Sequence, residues 1–272
     1  MMRALYTAAT GMIAEQTNVD TIAHNLSNVN TTGYKTERTE FKSLLYQTLQ
    51  TRTTTANGEL KPVGAQVGLG TRVAATTSMY TQGALLSSED ATDFAIVGDG
   101  FFAVRAIDNE IYYTRNGNFT WALDGNGRTI LADQNGNPVM DRNNNTIMVP
   151  EDVPADSMYF SKDGSIGYLT LDGDYVDLNQ SFALYQFNNP AGLEKMSDSL
   201  LTDTDASGNP MLEGVAQGLK LSEVRQKYLE GSNVHVADEM VNMIIAQRAY
   251  ELNSKAITTA DSMLDTANNL KR

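Results

Sequence analysis

Apolar residues recur every seven positions at both ends of the chain. Leu5, Met12, Val19 and Leu26 set one stripe, with Ala8, Ile22 and Val29 at the intermediate spacing. Val236, Met243, Tyr250, Ile257 and Leu264 set another, with Ala246, Ala260 and Ala267 between them. A seven-residue repeat lays one narrow stripe along a helix, and such a stripe stays buried only against another helix. The spacing predicts a first helix from about Arg3 to Ser27 and a last helix from about Ser232 to the end. No Gly or Pro interrupts the last segment, so it can run as a rod of roughly 57 Å. The Asn-rich string from Asn25 to Gly33 ends the first helix, because Asn and Gly tolerate the left-handed geometry of a C-terminal cap. Ser232 or Asn233 is placed to cap the last helix. Asp238 and Glu239 suit its positive start, and Lys271 and Arg272 its negative end.

Between these segments the pattern changes. Phe41, Leu44, Leu45 and Leu49 suggest a short helical or extended piece, and Gln50 to Gly70 is a Thr- and Gly-rich connector. From Arg72 to Phe187 short apolar runs follow one another: 94–97, 101–104, 111–114, 129–131, 146–149, 165–170 and 182–185. Gly98-Asp99-Gly100 reads as a hairpin-like turn. Asn116-Gly117, Asp124-Gly125, Asn126-Gly127, Asn135-Gly136, Asp163-Gly164 and Asp172-Gly173 read as two-residue hairpin turns, which require positive φ. Leu193 to Lys220 reads as loop. The fold class is therefore α+β, with long terminal helices and a central antiparallel all-β domain. Residues 1–45 and 232–272 form a helical assembly domain, 46–71 an extended connector, and 72–231 a β-rich domain with an irregular C-terminal loop region.

Charge sharpens this division. The chain has 272 residues and a net charge of -13. Residues 1–45 carry four basic and four acidic side chains, and residues 232–272 carry four basic and five acidic. The middle holds the remaining twelve basic and twenty-four acidic. Near-neutral ends can pack against other copies with little repulsion, while an acidic body stays solvated and makes a poor partner for nucleic acid. Nothing resembles a signal peptide, and no stretch reaches the length of a membrane span.

Chemistry-bearing motifs are few. There are no cysteines and two histidines, His24 and His235, with no His-x-x-x-His pair, which leaves no zinc set. Gly98-Asp99-Gly100-Phe101-Phe102-Ala103 fits a loose dinucleotide fingerprint, but the fingerprint needs a helix where Phe101 to Val104 reads as strand. Asp203-Thr204-Asp205-Ala206-Ser207-Gly208 starts like a calcium loop, yet Gly214 holds the place where a bidentate Glu is required. Carboxylates are numerous enough for a hydrolase of cell-wall glycan, but nothing singles out a pair. No catalytic residue, metal or cofactor is implied, so no enzymatic activity is expected.

Several segments carry a family resemblance. Ala23-His24-Asn25-Leu26-Ser27-Asn28-Val29-Asn30-Thr31-Thr32-Gly33-Tyr34-Lys35 resembles the N-terminal signature of bacterial flagellar rod and hook proteins. Ser232-Asn233-Val234, then Glu239 to Ile244 and Gln247 to Glu251, resembles their C-terminal signature, continued by Asn253 to Ile257 and Asp261 to Leu264. Asp93 to Phe102 and Tyr113-Thr114-Arg115-Asn116-Gly117 are similar to motifs in their middle. The length and the Thr/Gly-rich insert ending in Gln66 to Gly70 are most similar to the distal rod type, with a proximal rod or hook type as the alternative. His24 stands where Asn is usual. Lys227 stands where Gly is usual before Tyr228-Leu229-Glu230, which argues against special backbone geometry there.

The resemblance implies a structural subunit that forms a helical tube with its own copies and with other rod and hook axial proteins. It implies terminal helices paired as a coiled coil lining the inner tube, a β domain facing outward, torque passed from motor to hook, and export through the flagellar export apparatus into the basal body. The assembly interface expected from the stripes is Leu5, Met12, Val19, Ile22, Leu26, Val236, Met243, Tyr250, Ile257 and Leu264. Neither nucleic-acid binding nor membrane insertion is expected. The reading from another class is a dimeric binding or adaptor protein. A non-closing contact gives filaments, whereas a two-fold contact gives a closed dimer.

Overall fold

A computed structural model describes residues 2–50, 65–125, 127–150, 153–170, 175–215 and 218–270, and the chain divides into two units. The helical unit comprises Met1–Ser27, Glu37–Thr77 and His235–Arg272, and the β unit comprises Asn28–Thr36 and Ser78–Val234.

The helical unit is built on α1 (Met2–Ser27) and α2 (Val236–Asn269). They run antiparallel. Asn25 Nδ2 donates to Glu239 Oε2 at 3.0 Å, and farther along Gly11 lies against Asn253, where an added Cβ would sit 2.8 Å from Nδ2. Gly11 thus lets the Asn253 side chain pack on the α1 backbone, and the small residues Ala8, Ala14, Ala246 and Ala260 are buried. Helix α2 starts at Val236 with His235 as its N-cap and no side-chain cap hydrogen bond. Neither Ser232 nor Asn233 caps it: His235 takes the N-cap position, and the Asn233 amide is engaged within the β unit. Asp238 and Glu239 do occupy its first turn. Lys271 and Arg272 lie outside the described residues.

The region around Phe41 to Leu49 is extended rather than helical. Strand Glu37–Ser43 pairs with Thr71–Ser78, and Tyr46–Gln50 pairs antiparallel with Ala65–Gly68. The end of the Thr- and Gly-rich connector is thus laddered, and its residues 51–64 lie outside the described residues.

In the β unit, six strands form the largest sheet in the order Glu194–Lys195, Leu201–Thr202, Ile111–Thr114, Phe101–Arg105, Leu184–Gln186, Met211–Leu212. Strand Phe101–Arg105 lies inside this sheet and is covered on both faces, which is why Phe101-Phe102-Ala103-Val104 is apolar without alternation. Phe102 and Val104 enter one core with Phe94, Phe119, Phe160 and Phe182. Phe101 and Ala103 enter a second with Tyr113, Met140 and Phe187. A three-stranded antiparallel sheet, Met158–Phe160, Ser165–Leu169 and Tyr175–Ser181, closes the first core.

Several turn expectations are corrected. Gly98 to Gly100 does not close a hairpin: Phe94–Val97 pairs with Glu223–Gln226, while Phe101–Arg105 pairs with its neighbours in the six-stranded sheet. Asn116-Gly117 also joins strands that do not pair. Gly117 is needed because the Phe94 carbonyl lies where its Cβ would be. Positive φ occurs at Gly127, Gly136 and Gly164 but not at Asn116, Gly117, Asp124, Gly125, Asn135 or Asp163, so these pairs do not form turns with positive φ at both positions; Asn126 and 171–174 lie outside the described residues. Residues 146–149 make isolated bridges instead of a strand. Residues 193–220 are mostly loop but supply three short strands to the large sheet. Lys227 takes φ +61° despite being a lysine, so the special geometry is kept. Its N–H donates to the Asp93 carbonyl and its carbonyl accepts from Ser88, both at 2.8 Å, and these bonds hold the chain between Glu223–Gln226 and Tyr228–Glu230.

Candidate functional site: helix faces and a buried charge cluster

The helical unit presents two kinds of face. On α1, Ile22 is buried and Leu5, Met12, Val19 and Leu26 are half-buried. On α2, Met243 and Ile257 are half-buried, while Val236, Tyr250 and Leu264 are exposed. The intrachain seam of α2 runs instead through Ala246, Asn253 and Ala260, again seven residues apart. Small and polar residues thus occupy the α2 seam, with the larger ones at its margins. Val241, Ile244, Ile245 and Leu252 of α2 are 55–66% exposed, as are Met2, Tyr6 and Ile13 of α1 to at least that extent. Their i, i+3, i+4 spacing makes each set a contiguous apolar patch. The helical unit carries ten basic and ten acidic side chains, so the whole charge of -13 falls on the β unit.

The β unit contains a site that apolar periodicity could not reveal. Lys35, Arg115 and Glu230, from three distant segments, are all buried. Lys35 Nζ donates to Glu230 Oε1 at 2.6 Å and to the Thr81 carbonyl at 2.8 Å. Gly83 N–H donates to the same carboxylate oxygen at 2.9 Å. Arg115 Nε faces Glu230 Oε2 at 3.5 Å, close enough for charge attraction though without a formed hydrogen bond. The guanidinium's other nitrogens donate to the carbonyls of Gly100 and Gly98, each at 2.7 Å. The Gly-Asp-Gly motif is therefore an arginine cradle. Gly98 has φ +138°, and a Cβ on Gly98 or Gly100 would collide with Ser222 or Glu213. Asp99 adds negative charge beside both cations.

Electrostatics makes the cluster a place of high stakes. Burial, and then the Arg115 charge, hold the Lys35 pKa below the ordinary lysine value against the opposing pull of Glu230. Burial likewise lowers that of Arg115. Two buried cations depend on one fully enclosed carboxylate, and such groups are tolerated only while paired. Around them, Gly33 N–H donates to the Glu230 carbonyl at 2.8 Å, and the Thr32 hydroxyl donates to Asn116 Oδ1 at 2.9 Å. Segments 33–35, 98–100, 114–117 and 228–231, quoted separately above, are thus one constellation. The hint in the sequence was the recurrence of single charged residues inside otherwise neutral motifs.

Beside the cradle the Ser222 hydroxyl donates to Glu213 Oε1 at 2.7 Å and accepts from Gly100 N–H at 3.1 Å; both side chains are buried, so this hydroxyl–carboxylate pair braces the loop. Among the described residues no group of three His, Asp or Glu is placed to hold a metal, and no helix is long and apolar enough to cross a membrane. Asp203 to Ser207 folds as a hydroxyl-bonded turn, with Ser207 Oγ accepting from Thr204 N–H and donating to its carbonyl.

Comparison with known proteins places these features. Residues 5–35 match the family described as flagella basal body rod protein, 95–168 the flagellar hook protein FlgE/F/G D1 domain, and 225–270 the flagellar basal body rod FlgEFG protein C-terminal region. The flagellar basal-body rod protein FlgG of Borreliella burgdorferi is 45% identical over all of both chains. That of Agrobacterium fabrum is 42% identical over 99% of this chain and all of the relative, and that of Bacillus subtilis 34% over all of both. The crystal structure of Helicobacter pylori flagellar hook protein FlgE2 aligns at 16% identity over 62% of this chain and 47% of that one, with a TM-score of 0.24, too low to bear on the architecture. The chain belongs to the flagellar basal-body rod protein family: it is a structural, non-enzymatic subunit of the basal-body rod.

Proposed function

We propose that this subunit builds the distal part of the rod by packing its helical unit against those of other copies, and passes torque from motor to hook through the resulting tube. The exposed apolar patch Val241, Ile244, Ile245 and Leu252 on a unit of zero net charge carries this reading. A contiguous exposed apolar patch of this kind is the mark of an interface. The antiparallel α1–α2 pair, with seven-residue spacing along its seam, supports a coiled coil within each subunit. The sequence-derived interface then divides by role. Ile22, Met243 and Ile257 stabilise the pair, whereas Val236, Tyr250 and Leu264 face neighbours. The acidic β units stay solvated, other rod and hook proteins continue the tube at its ends, and the subunit arrives through the flagellar export apparatus.

Ile244→Asp tests the reading. The monomer should keep its stability and helix content, because Ile244 is 58% exposed. Polymerisation, followed by electron microscopy of concentrated protein, should fail. Filaments of wild-type yield from Ile244→Asp, or a closed dimer from the wild-type chain, would refute the assembly face.

A further inference from the structure

The chain passes between its two units after Ser27, Thr36, Thr77 and Val234. Within the β unit, one side chain binds the residues at three of these crossings. Asn233 Oδ1 accepts from the Thr36 N–H and the Thr36 hydroxyl, both at 2.7 Å. Asn233 Nδ2 donates to the Met79 carbonyl and the Thr81 hydroxyl, both at 2.8 Å, and to the Thr81 carbonyl at 3.2 Å. Met79 N–H donates in turn to the Thr36 carbonyl at 2.9 Å. Lys35, next to Thr36, shares the Thr81 carbonyl and reaches back to Glu230. The last residue of segment 28–36, the first residues after Thr77 and the residues before α2 are therefore joined through one short amide. Only an amide fits this task, because it is both an acceptor and a double donor.

Force carried by the chain into the β unit must travel along these covalent strands. Unlinked strands can swivel or peel one at a time, whereas strands cross-linked where they enter share the force. We propose that Asn233 is a mechanical clamp that binds three chain crossings into one anchorage, so that torque is spread over three strands. The proposal rests on the reading of the chain as a rod subunit, and it gives Asn233 a role unrelated to helix capping.

The test combines amide exchange on the full-length protein with rotation of tethered cells under rising viscous load. In Asn233→Ala the Thr36 and Met79 amides should exchange faster by about 100-fold or more, as loss of the five hydrogen bonds of the Asn233 amide implies. Phe102 and Val104 amides should be unchanged. Rods should form in wild-type number and turn normally at low load, but lose rotation or shear at high load. Thr36→Val removes only the hydroxyl bond and should fall between. Unchanged exchange at Thr36 and Met79 would show that no clamp exists. Uniform acceleration that includes Phe102 would make Asn233 an ordinary stability residue. An opened clamp with wild-type rotation at high load would remove the mechanical role. If Asn233→Ala builds no rods, the load response of Thr36→Val decides by the same criterion. Failure of the wild-type chain itself to appear in rods would instead overturn the rod reading.

Discussion

Replacing Glu230 by Gln should be among the most damaging near-isosteric changes in the β unit. The carboxylate is fully enclosed, 2.6 Å from Lys35 Nζ, 2.9 Å from Gly83 N–H and 3.5 Å from Arg115 Nε. All its neighbours are donors, so a Gln amide must turn its NH2 towards one of them. It also takes from the two buried cations the counter-charge they contact, leaving only the more distant Asp99 and, for Arg115, Glu213. Removing one partner of a buried pair costs about 3–5 kcal/mol, a large part of a typical domain's stability. Lys35→Met removes a cation and the burial penalty it carries, while the Glu230–Arg115 attraction survives. It should cost about 1–2 kcal/mol, the worth of its charged hydrogen bonds less that relief. The chain has a single tryptophan, Trp121, which packs on the β-unit core. Urea titration followed by Trp121 fluorescence therefore reports this unit. The double variant should cost less than the sum of the two singles. If Glu230→Gln costs less than Lys35→Met, or the costs simply add, the cluster is not organised around the carboxylate.

Further outcomes follow from other positions. Lys227 holds φ +61° while exposed, so Lys227→Gly should stabilise the β unit by up to about 1 kcal/mol; a lower urea midpoint would show that the lysine side chain compensates. Gly11→Leu should separate α1 from α2, since even a Cβ there crowds Asn253; unchanged helix content and polymerisation would count against the close seam. Because the Lys35 pKa is lowered in the folded state, the unfolded chain keeps this proton to higher pH. The burial penalty is present in full below the folded pKa and disappears as pH rises towards 10.5. Wild-type stability relative to Lys35→Met should accordingly increase over that window; a decreasing difference would reverse the assigned sign.

Periodicity made the helices legible, because α1 and α2 are long and each repeats an apolar spacing many times. It places the α2 start too early, since Ser232 and Asn233 have the composition of a cap but belong to the β unit. The stripes read as seams, and their members Ala8, Ile22, Ala246 and Ala260 are buried, whereas the larger Val236, Tyr250 and Leu264 are exposed. Size, not hydrophobicity, decides which residues fit. In the β unit, Asn-Gly and Asp-Gly pairs marked turns without saying which strands pair. Gly117 illustrates why: it answers to the Phe94 carbonyl, a tertiary neighbour that no local pattern contains. The Lys35–Arg115–Glu230 cluster escaped for the same reason, since only folding brings residues 35, 115 and 230 together.

The β unit is interrupted in sequence: its segment 28–36 is separated from the rest by the 37–77 stretch of the helical unit. Its closure needs Lys35 and Glu230, which are 195 residues apart. Contacts of such long range form late, because a large loop must close before they repay its entropy. A chain growing from its N-terminus thus cannot complete the β unit until almost all of it has been made. The α2 patch lies beyond Glu230 and appears later still. Incomplete chains therefore carry the apolar patch of α1 but lack a finished β unit and the α2 patch, so the order of the sequence holds the α2 face back until the residue that closes the β unit has been made.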